Sequence, residues 1–269
     1  TLRRSRRQRQ MCIRDRIYGH KDGLAMTFDV FEPDSDPNGA AVVFIVSGGW
    51  VSKWAPPQQL RMLLSPYLTA GYKVFAVRHG SSPRYSIAEA VTDVRRAIRS
   101  IRKDAKQYGI SSDRIGVIGM SAGGHLTLML ATTADDGDPN ADDPVERSSS
   151  RITAGVALVP PTDIRNYVWS TPGLDPQYRK FPGLDISRAE AKSVSPLHFV
   201  TPDDAPCLVI SGGTDTLVLP EQGRLIHEKM DEVGVENRFI LYEDSGHGLE
   251  NDLLDAVSES VKWFDQHLK

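Results

Sequence analysis

The sequence predicts an α/β fold in which one doubly wound, mostly parallel sheet carries helices on both faces. Short runs rich in valine, isoleucine and phenylalanine alternate with longer stretches of helical periodicity; these runs occupy 41–46, 73–77, 115–118, 155–159, 207–210 and 239–242. Several are continuously apolar, which is typical of strands buried on both faces of a parallel sheet. The 269 residues, of which 40% are hydrophobic and 25% charged, are enough for one domain with a sizeable core.

The helices are predicted from the stretches between these runs. Residues 86–109 carry apolar side chains at spacings of three and four, which form one helix face: Ile87, Val91, Val94, Ile98 and Ile101. Ser86 is a typical N-cap and Gly109 a typical stop. We expect the basic side chains of this helix to face water: Arg95, Arg96, Arg99 and Lys103. Four more helices are predicted at 58–70, 122–134, 221–233 and 253–268.

Two segments interrupt the alternation of strand and helix. Residues 135–151 are polar and acidic, which indicates a surface excursion. Residues 162–202 contain proline, glycine and aromatic residues with weak periodicity. We interpret 162–202 as an insertion over one end of the sheet that forms a small partial lid.

The first 16 residues differ from the rest of the chain in charge. They carry seven arginines and one aspartate, net +6, while the other 253 residues carry 25 basic and 34 acidic side chains, net −9. A basic arm on an acidic body is one way to tether nucleic acid. However, residues 11–16 resemble translated sequencing-adapter sequence of the kind found in assembled metagenomes. We therefore expect a disordered, non-native arm at 1–16, a single catalytic domain at 17–269 and no nucleic-acid partner.

Composition also restricts the remaining classes of protein. No window holds the ~18 consecutive apolar residues that a membrane span requires, and no apolar region follows the basic arm as a signal peptide would require. The compartment stays open between cytoplasmic and secreted.

Of the two cysteines, Cys12 lies in the arm and Cys207 in an apolar run, so no disulfide within the domain is expected. No Cys/His spacing indicates a metal site, and no motif calls for a cofactor. The oligomeric state also stays open.

The strongest functional motif is Gly-x-Ser-x-Gly, formed by Gly119, Ser121 and Gly123. It lies between an apolar strand and a predicted helix, the context in which a nucleophilic serine occupies a tight turn. Glycines on either side leave room where a Cβ would clash. We therefore predict that Ser121 is a catalytic nucleophile.

A nucleophilic serine needs a base to take its proton and an acid to orient that base. Asp215 follows the strand at 207–210 in a glycine-rich loop, and His247 follows the strand at 239–242. Both come after the serine, in the order serine, acid, histidine. We predict Asp215 and His247 as the partners of Ser121, with Asp244 as the rival acid.

Backbone N–H groups are expected to stabilise the negative charge that develops on the substrate. The residue after the nucleophile, Ala122, is one predicted donor. Gly48 and Gly49 follow the strand at 41–46 and are the other two. An ordinary glycine turn at the end of a strand is the alternative interpretation of this pair.

With these motifs in place, the chain resembles serine esterases of the α/β-hydrolase superfamily. It is most similar to the bacterial feruloyl-esterase-like and acetylxylan-esterase-like branch, near the hormone-sensitive-lipase group. The resemblance spans about 18–268 and depends on segments 47–50, 79–85, 119–125, 160–163, 212–218 and 245–248. It implies the same triad and oxyanion donors. One departure is that Val46 and Ser47 stand where relatives commonly read His-Gly at the start of His-Gly-Gly-Gly.

The resemblance implies a hydrolase of carboxylic esters with short acyl groups, whose substrate is a small molecule or an acetylated or feruloylated carbohydrate. Trp50, Trp54, His79 and Tyr85 are the candidate substrate contacts, with simple packing as their alternative role. A prolyl-oligopeptidase-like or dienelactone-type hydrolase uses the same triad. A catalytically silent binding protein on this fold is the alternative from another class.

Overall fold

The sheet and its helices are seen in a computed structural model, which describes residues 14–169 and 181–269. Within these residues eight strands form one sheet in the order β1-β2-β4-β3-β5-β6-β7-β8. The strands are β1 (Arg14–Lys21), β2 (Leu24–Phe31), β3 (Ala41–Ile45), β4 (Lys73–Val77), β5 (Ile115–Met120), β6 (Ala154–Leu158), β7 (Cys207–Gly212) and β8 (Asn237–Tyr242). β1 pairs antiparallel with β2, and β2 pairs antiparallel with β4. The other pairs in this order are parallel and join the six strands β4, β3, β5, β6, β7 and β8. The predicted fold class is confirmed.

Helices cover both faces of the sheet. They are α1 (Pro57–Thr69), α2 (Ile87–Lys103), α3 (Ala105–Tyr108), α4 (Ala122–Thr133), α5 (Ile164–Trp169), α6 (Arg188–Ser193), α7 (Glu221–Val233) and α8 (Leu253–Leu268). Apolar side chains of α2, α4 and α7 join one core cluster, and those of α1 and α8 join the other. The sheet therefore separates two cores, as continuously apolar strands predict. No helix in the described ranges is both long enough and apolar enough to cross a membrane.

The β1–β2 hairpin is absent from the sequence prediction. It turns at Asp22 and Gly23, whose φ angles are 48° and 78°, as a two-residue hairpin turn requires. β1 begins at Arg14, three residues before the domain boundary drawn from composition. Charged residues are tolerated there because β1 is an edge strand with β2 as its one partner. Residues 1–13 lie outside the described part of the chain.

The basic side chains of α2 do not all face water as predicted. Arg99 is buried and donates both hydrogen bonds of its Nη2 to the Asp135 carboxylate at 2.7 Å. Arg96 donates to Glu146 at 2.6 Å. The acidic excursion at 135–151 covers this helix face because its carboxylates pair with the arginines. Lys103 is exposed, as expected.

The predicted insertion at 162–202 includes α5, α6 and two short 3₁₀ helices, Pro182–Leu184 and Pro196–His198. Its start is fixed to α7, because the backbone N–H groups of Thr162 and Asp163 both donate to Gln222 Oε1 at 2.8 Å. Residues 170–180 of this insertion lie outside the described residues. Its role as a lid stays a prediction.

Candidate active site

Ser121 lies on the tight turn between β5 and α4. Its φ of 55° and ψ of −120° are a strained conformation for a non-glycine residue. Its N–H donates to Leu158 O on the neighbouring strand β6 at 2.8 Å. A Cβ on Gly119 would lie 2.3 Å from the carbonyl carbon of Gly123. The two glycines therefore permit the turn, for the steric reason predicted from the motif.

Two further loops meet at the carboxyl ends of β7 and β8. A Cβ on Gly212 would lie 2.4 Å from Gly246 O, and one on Gly213 would lie 2.5 Å from Glu243 O. The Thr214 N–H donates to Ser245 O at 3.0 Å. Because the two backbones touch, the side chains that follow them are held close together.

These loops bring Asp215 and His247 to Ser121. His247 Nδ1 lies 2.7 Å from Asp215 Oδ2, and His247 Nε2 lies 2.9 Å from Ser121 Oγ. An ionised carboxylate only accepts, so Nδ1–H donates to Asp215 and Nε2 of the neutral ring accepts from the serine hydroxyl. The imidazole is 24% exposed, while the Asp215 side chain is completely buried. A partly exposed imidazole is thus oriented by a buried carboxylate.

The rival acid is not used for this contact. Asp244 is exposed, whereas Asp215 has its second oxygen, Oδ1, fixed by the N–H groups of Leu217 and Val218 at 2.8 and 2.9 Å. The carboxylate is therefore held in one orientation by its own loop.

Glu250 supports the histidine loop and was not singled out in the sequence. Its carboxylate accepts from the N–H groups of Gly246 and Gly248, at 3.2 and 3.1 Å, on either side of His247. Backbone N–H groups, its own first, hold the pKa of Glu250 below its usual value. No motif around Glu250 signals this role, because the contact depends on how the loop folds back.

The loop after β3 differs from its prediction at one residue. The Gly48 N–H donates to Val51 O at 3.1 Å, and the Val51 N–H donates back to Gly48 O at 3.0 Å. Gly48 is therefore occupied within its own turn and is not the predicted oxyanion donor. In the described chain the N–H groups of Gly49 and Ala122 donate to no protein acceptor. These two remain as candidate donors.

The same loop packs against the start of α4. A Cβ on Gly123 would lie 2.9 Å from Ile45 O and 3.8 Å from Ser47 Cβ. The loop turns through positive φ at Gly49 (56°) and Trp50 (58°). It therefore lies directly beside the nucleophile turn, defined as residues 119–123 around the predicted nucleophile Ser121. Trp50 is not a residue type that favours positive φ.

Trp50 is buried and does not offer a ring surface to a ligand. Its Nε1–H donates to His125 Nδ1 at 3.1 Å, so His125 Nε2–H donates to Val194 O at 2.6 Å. Burial lowers the pKa of His125 to about 4, which keeps its ring neutral. The pair links the loop after β3 to α4 and to the segment after α6. The prediction of Trp50 as a substrate contact is replaced by packing.

The other candidate contacts lie at different depths. His79 is buried, and its Nε2 lies 2.8 Å from Ser47 Oγ. Tyr85 is buried against Gly80, where a Cβ would lie 2.6 Å from the tyrosine ring. Trp54 is 66% exposed, so of the four it alone presents its ring to solvent.

Phe181 is a further residue beside the site that the sequence did not single out. Its Cδ1 lies 2.4 Å from the place where a Cβ on Gly49 would stand. The ring therefore covers the backbone of the candidate donor Gly49. Weak periodicity in the insertion gave no means of predicting this contact.

No group of three His, Cys, Asp or Glu side chains among the described residues is arranged to hold a metal ion. Cys207 is buried, and burial raises the pKa of its thiol to about 12. The cysteine therefore stays protonated and packs as a small apolar side chain.

Comparisons with known proteins agree with this architecture. The BD-FAE family model matches residues 28–230, a range that includes Ser121 and Asp215. A crystal structure of an acetyl ester-xyloside bifunctional hydrolase from Caldicellulosiruptor lactoaceticus superposes with a TM-score of 0.79 at 22% identity. The superposition covers 94% of this chain and 96% of the hydrolase chain. This likeness supports the α/β-hydrolase fold.

Two curated relatives come from Mycobacterium tuberculosis. The probable carboxylic ester hydrolase LipM is 28% identical over 78% of this chain and 50% of its own length. Esterase LipC is 29% identical over 91% of this chain and 63% of its own length. The chain thus spans half to just under two thirds of the length of these relatives.

Proposed function

The chain belongs to the BD-FAE family, and from this membership and the geometry of its site we propose that it is a serine hydrolase of carboxylic esters. The observation that carries the proposal is the chain of contacts from Ser121 Oγ through His247 to Asp215, at 2.9 and 2.7 Å. The esterase names of LipM and LipC support the same reaction.

In the first half of the proposed reaction, Ser121 Oγ attacks the ester carbonyl carbon while His247 Nε2 takes the hydroxyl proton. Asp215 holds the ring in the tautomer that accepts this proton and stabilises the imidazolium that forms. The carbonyl oxygen becomes an oxyanion, which the N–H groups of Gly49 and Ala122 stabilise. Such donors act on charge that develops in the transition state.

The tetrahedral intermediate then collapses and the bond to the leaving alcohol breaks. His247 returns the proton to the alcohol oxygen, and an acyl-enzyme on Ser121 remains. A water molecule repeats the sequence with His247 as base, which releases the carboxylic acid and restores the serine.

The surroundings of the site favour a short acyl group. The Phe181 ring packs against Gly49, so a bulky side chain stands beside the candidate oxyanion donor, which supports a small acyl pocket. Trp54, exposed four residues beyond Trp50, is the proposed contact for the alcohol part, including a sugar, because an aromatic face offers a large apolar surface.

The test is the initial rate on p-nitrophenyl acetate, butyrate, octanoate and dodecanoate, with Ser121→Ala as the matched variant. We expect a maximum at acetate or butyrate and a loss on the order of a million-fold in the variant. Turnover that survives in Ser121→Ala would exclude Ser121 as the nucleophile.

The remaining outcomes separate the alternatives. A maximum at octanoate or beyond would replace the short-acyl pocket with an open apolar cleft. Faster cleavage of an aminoacyl anilide than of any aryl ester would indicate a peptidase. Absence of labelling of Ser121 by a fluorophosphonate, together with absence of ester turnover, would indicate the silent binding protein.

A further inference from the structure

We propose that His79 is a positioning residue for the oxyanion loop. It accepts a hydrogen bond from the Ser47 hydroxyl and thereby fixes the loop that carries the Gly49 N–H. The oxyanion loop is defined here as residues 46–52. The inference depends on the proposed esterase function, because the loop matters only if an oxyanion forms beside it. It replaces the prediction that His79 contacts the substrate.

The direction of the contact follows from the two nitrogens of the ring. His79 Nδ1 lies 2.8 Å from Gly80 O, and a carbonyl oxygen only accepts, so the proton is on Nδ1. In the neutral ring Nε2 then accepts, and the Ser47 hydroxyl donates to it at 2.8 Å. Burial lowers the pKa of His79, which favours this neutral form. The serine hydroxyl is therefore held in one rotamer.

The segment that follows β4 touches the oxyanion loop at two further points. The Ser82 N–H donates to Trp50 O at 3.1 Å, and Ser81 Oγ accepts from the Ser52 N–H at 2.9 Å. With the Ser47 contact, these bonds hold both ends and the middle of the loop. Gly49 lies between the held positions and within the Gly48–Val51 turn, so the direction of its N–H is set by that turn together with the contacts from the segment after β4.

The position of His79 is itself fixed by neighbouring residues. The Gly80 N–H donates to Asp93 Oδ2 at 2.8 Å, and Lys21 Nζ lies 2.9 Å from Asp93 Oδ1. The Tyr85 ring packs on Gly80, and Lys21 Nζ lies 4.6 Å from the centre of that ring. Because α2, β1 and the segment after β4 meet here, His79 has little freedom to move away from Ser47.

The arrangement also gives the sequence departure at Val46 and Ser47 a physical meaning. Ser47 is half-buried and its backbone lies against Gly123 of the nucleophile turn. Its hydroxyl reaches an imidazole that comes from the end of the next strand in the sheet. The loop therefore depends on a histidine 32 residues away in the chain.

The test measures kcat and KM on p-nitrophenyl butyrate for Ser47→Ala, His79→Leu, the double variant and Ser47→Thr. We expect Ser47→Ala to lose about tenfold in kcat, less than the ~100-fold or more typical of a removed donor, with KM changed by less than about twofold. Ser47→Thr keeps the hydroxyl and should restore the rate. Because both side chains act through one bond, the double variant should be no slower than the slower single variant.

A second readout separates positioning from folding. A trifluoromethyl ketone forms a tetrahedral adduct with the serine, so its inhibition constant should rise by the same factor as kcat falls. Active-site titration with a fluorophosphonate corrects for any misfolded fraction. His227→Gln, on α7 and hydrogen-bonded to Asn237, is the control and should behave as the wild type.

Unchanged kcat and inhibition constant in Ser47→Ala, with Ser121→Ala inactive, would overturn this inference and leave the esterase proposal intact. Losses that multiply in the double variant, or a Ser47→Thr variant as slow as Ser47→Ala, would also overturn it. Turnover retained in Ser121→Ala would overturn both proposals.

Discussion

The nucleophile turn and the oxyanion loop lie side by side, yet their backbones are held in different ways. The turn at Ser121 depends on glycines two residues away on each side, where any side chain would strike the backbone. The oxyanion loop takes positive φ at Gly49 and Trp50 and is held by partners elsewhere in the chain, His79 and His125 among them. The first element is therefore encoded locally, whereas the second depends also on the fold around it.

This difference predicts opposite sensitivities. A change within the nucleophile turn should act on the fold and on activity together, because nothing can relax around a backbone clash. A change in the oxyanion loop should act on turnover more than on folding, because the side chains that hold it, His79 and His125, also bond to Gly80 O and Val194 O outside the loop.

The largest effect is expected for Gly119→Ala. The new Cβ would stand 2.3 Å from the backbone of Gly123, so β5 and α4 would have to separate. We expect the free energy of unfolding to fall by more than about 4 kcal/mol, the range reserved for severe packing defects, and ester turnover to be lost. Urea unfolding followed by tryptophan fluorescence measures the first, and fluorophosphonate labelling of the soluble fraction measures the second. A folded variant within about tenfold of wild-type turnover would contradict a locally encoded turn.

A smaller effect is expected for Gly49→Ala. Its φ of 56° and the Phe181 ring leave no room for a Cβ, so the N–H must shift away from the oxyanion. We expect kcat to fall about 100-fold, as for the loss of one oxyanion donor, with a modest change in the unfolding midpoint.

Gly48→Ala is the matched comparison for both variants. Gly48 is exposed, and a Cβ there meets nothing within 4 Å. The turnover of Gly48→Ala should stay within about threefold of the wild type, since a substitution at an exposed position without close neighbours changes little. Equal losses in Gly48→Ala and Gly49→Ala would return Gly48 to the oxyanion hole and remove the distinction between the two glycines.

What the sequence predicted follows the same division. The six parallel strands, the helix capped by Ser86 and the candidate residues Ser121, Asp215 and His247 could be predicted because each depends on a short pattern: an apolar run, a cap, a loop after a strand. Asp215 and His247 are predicted from chain order and from their position in loops after strands, whereas their mutual contact at 2.7 Å comes from two loops that pack glycine against backbone.

What the sequence did not predict depends on contacts between distant segments. The β1–β2 hairpin carries charged residues that obscure its alternation, because an edge strand needs only one apolar face. Arg99 of α2 is covered by the acidic excursion, a pairing that periodicity within the helix cannot reveal. Trp50 and Tyr85 were candidate contacts because aromatic residues stand beside the motifs, but their burial is decided by His125 and Gly80.

His125 links the two regions, so replacing it should lower stability as well as turnover. A glutamine amide can donate to Val194 O from near the position of Nε2, but it places no acceptor at the position of Nδ1. The buried Trp50 N–H then loses its partner, which should cost about 1–3 kcal/mol at pH 7. Because burial lowers its pKa from 6.5 to about 4, the unfolded chain binds a proton before the folded one does. The wild type therefore loses stability as pH falls from 6.5 towards 4.

The glutamine variant lacks this titration, so the gap between the two proteins should narrow by about 2 kcal/mol between pH 7 and pH 5. Urea unfolding of both proteins at the two pH values measures the gap, and the carboxylates that they share cancel in the difference. A gap that stays constant with pH would mean that His125 is not held neutral by burial. The His125 ring, which links α4 to the oxyanion loop through Trp50, would then have a different protonation state.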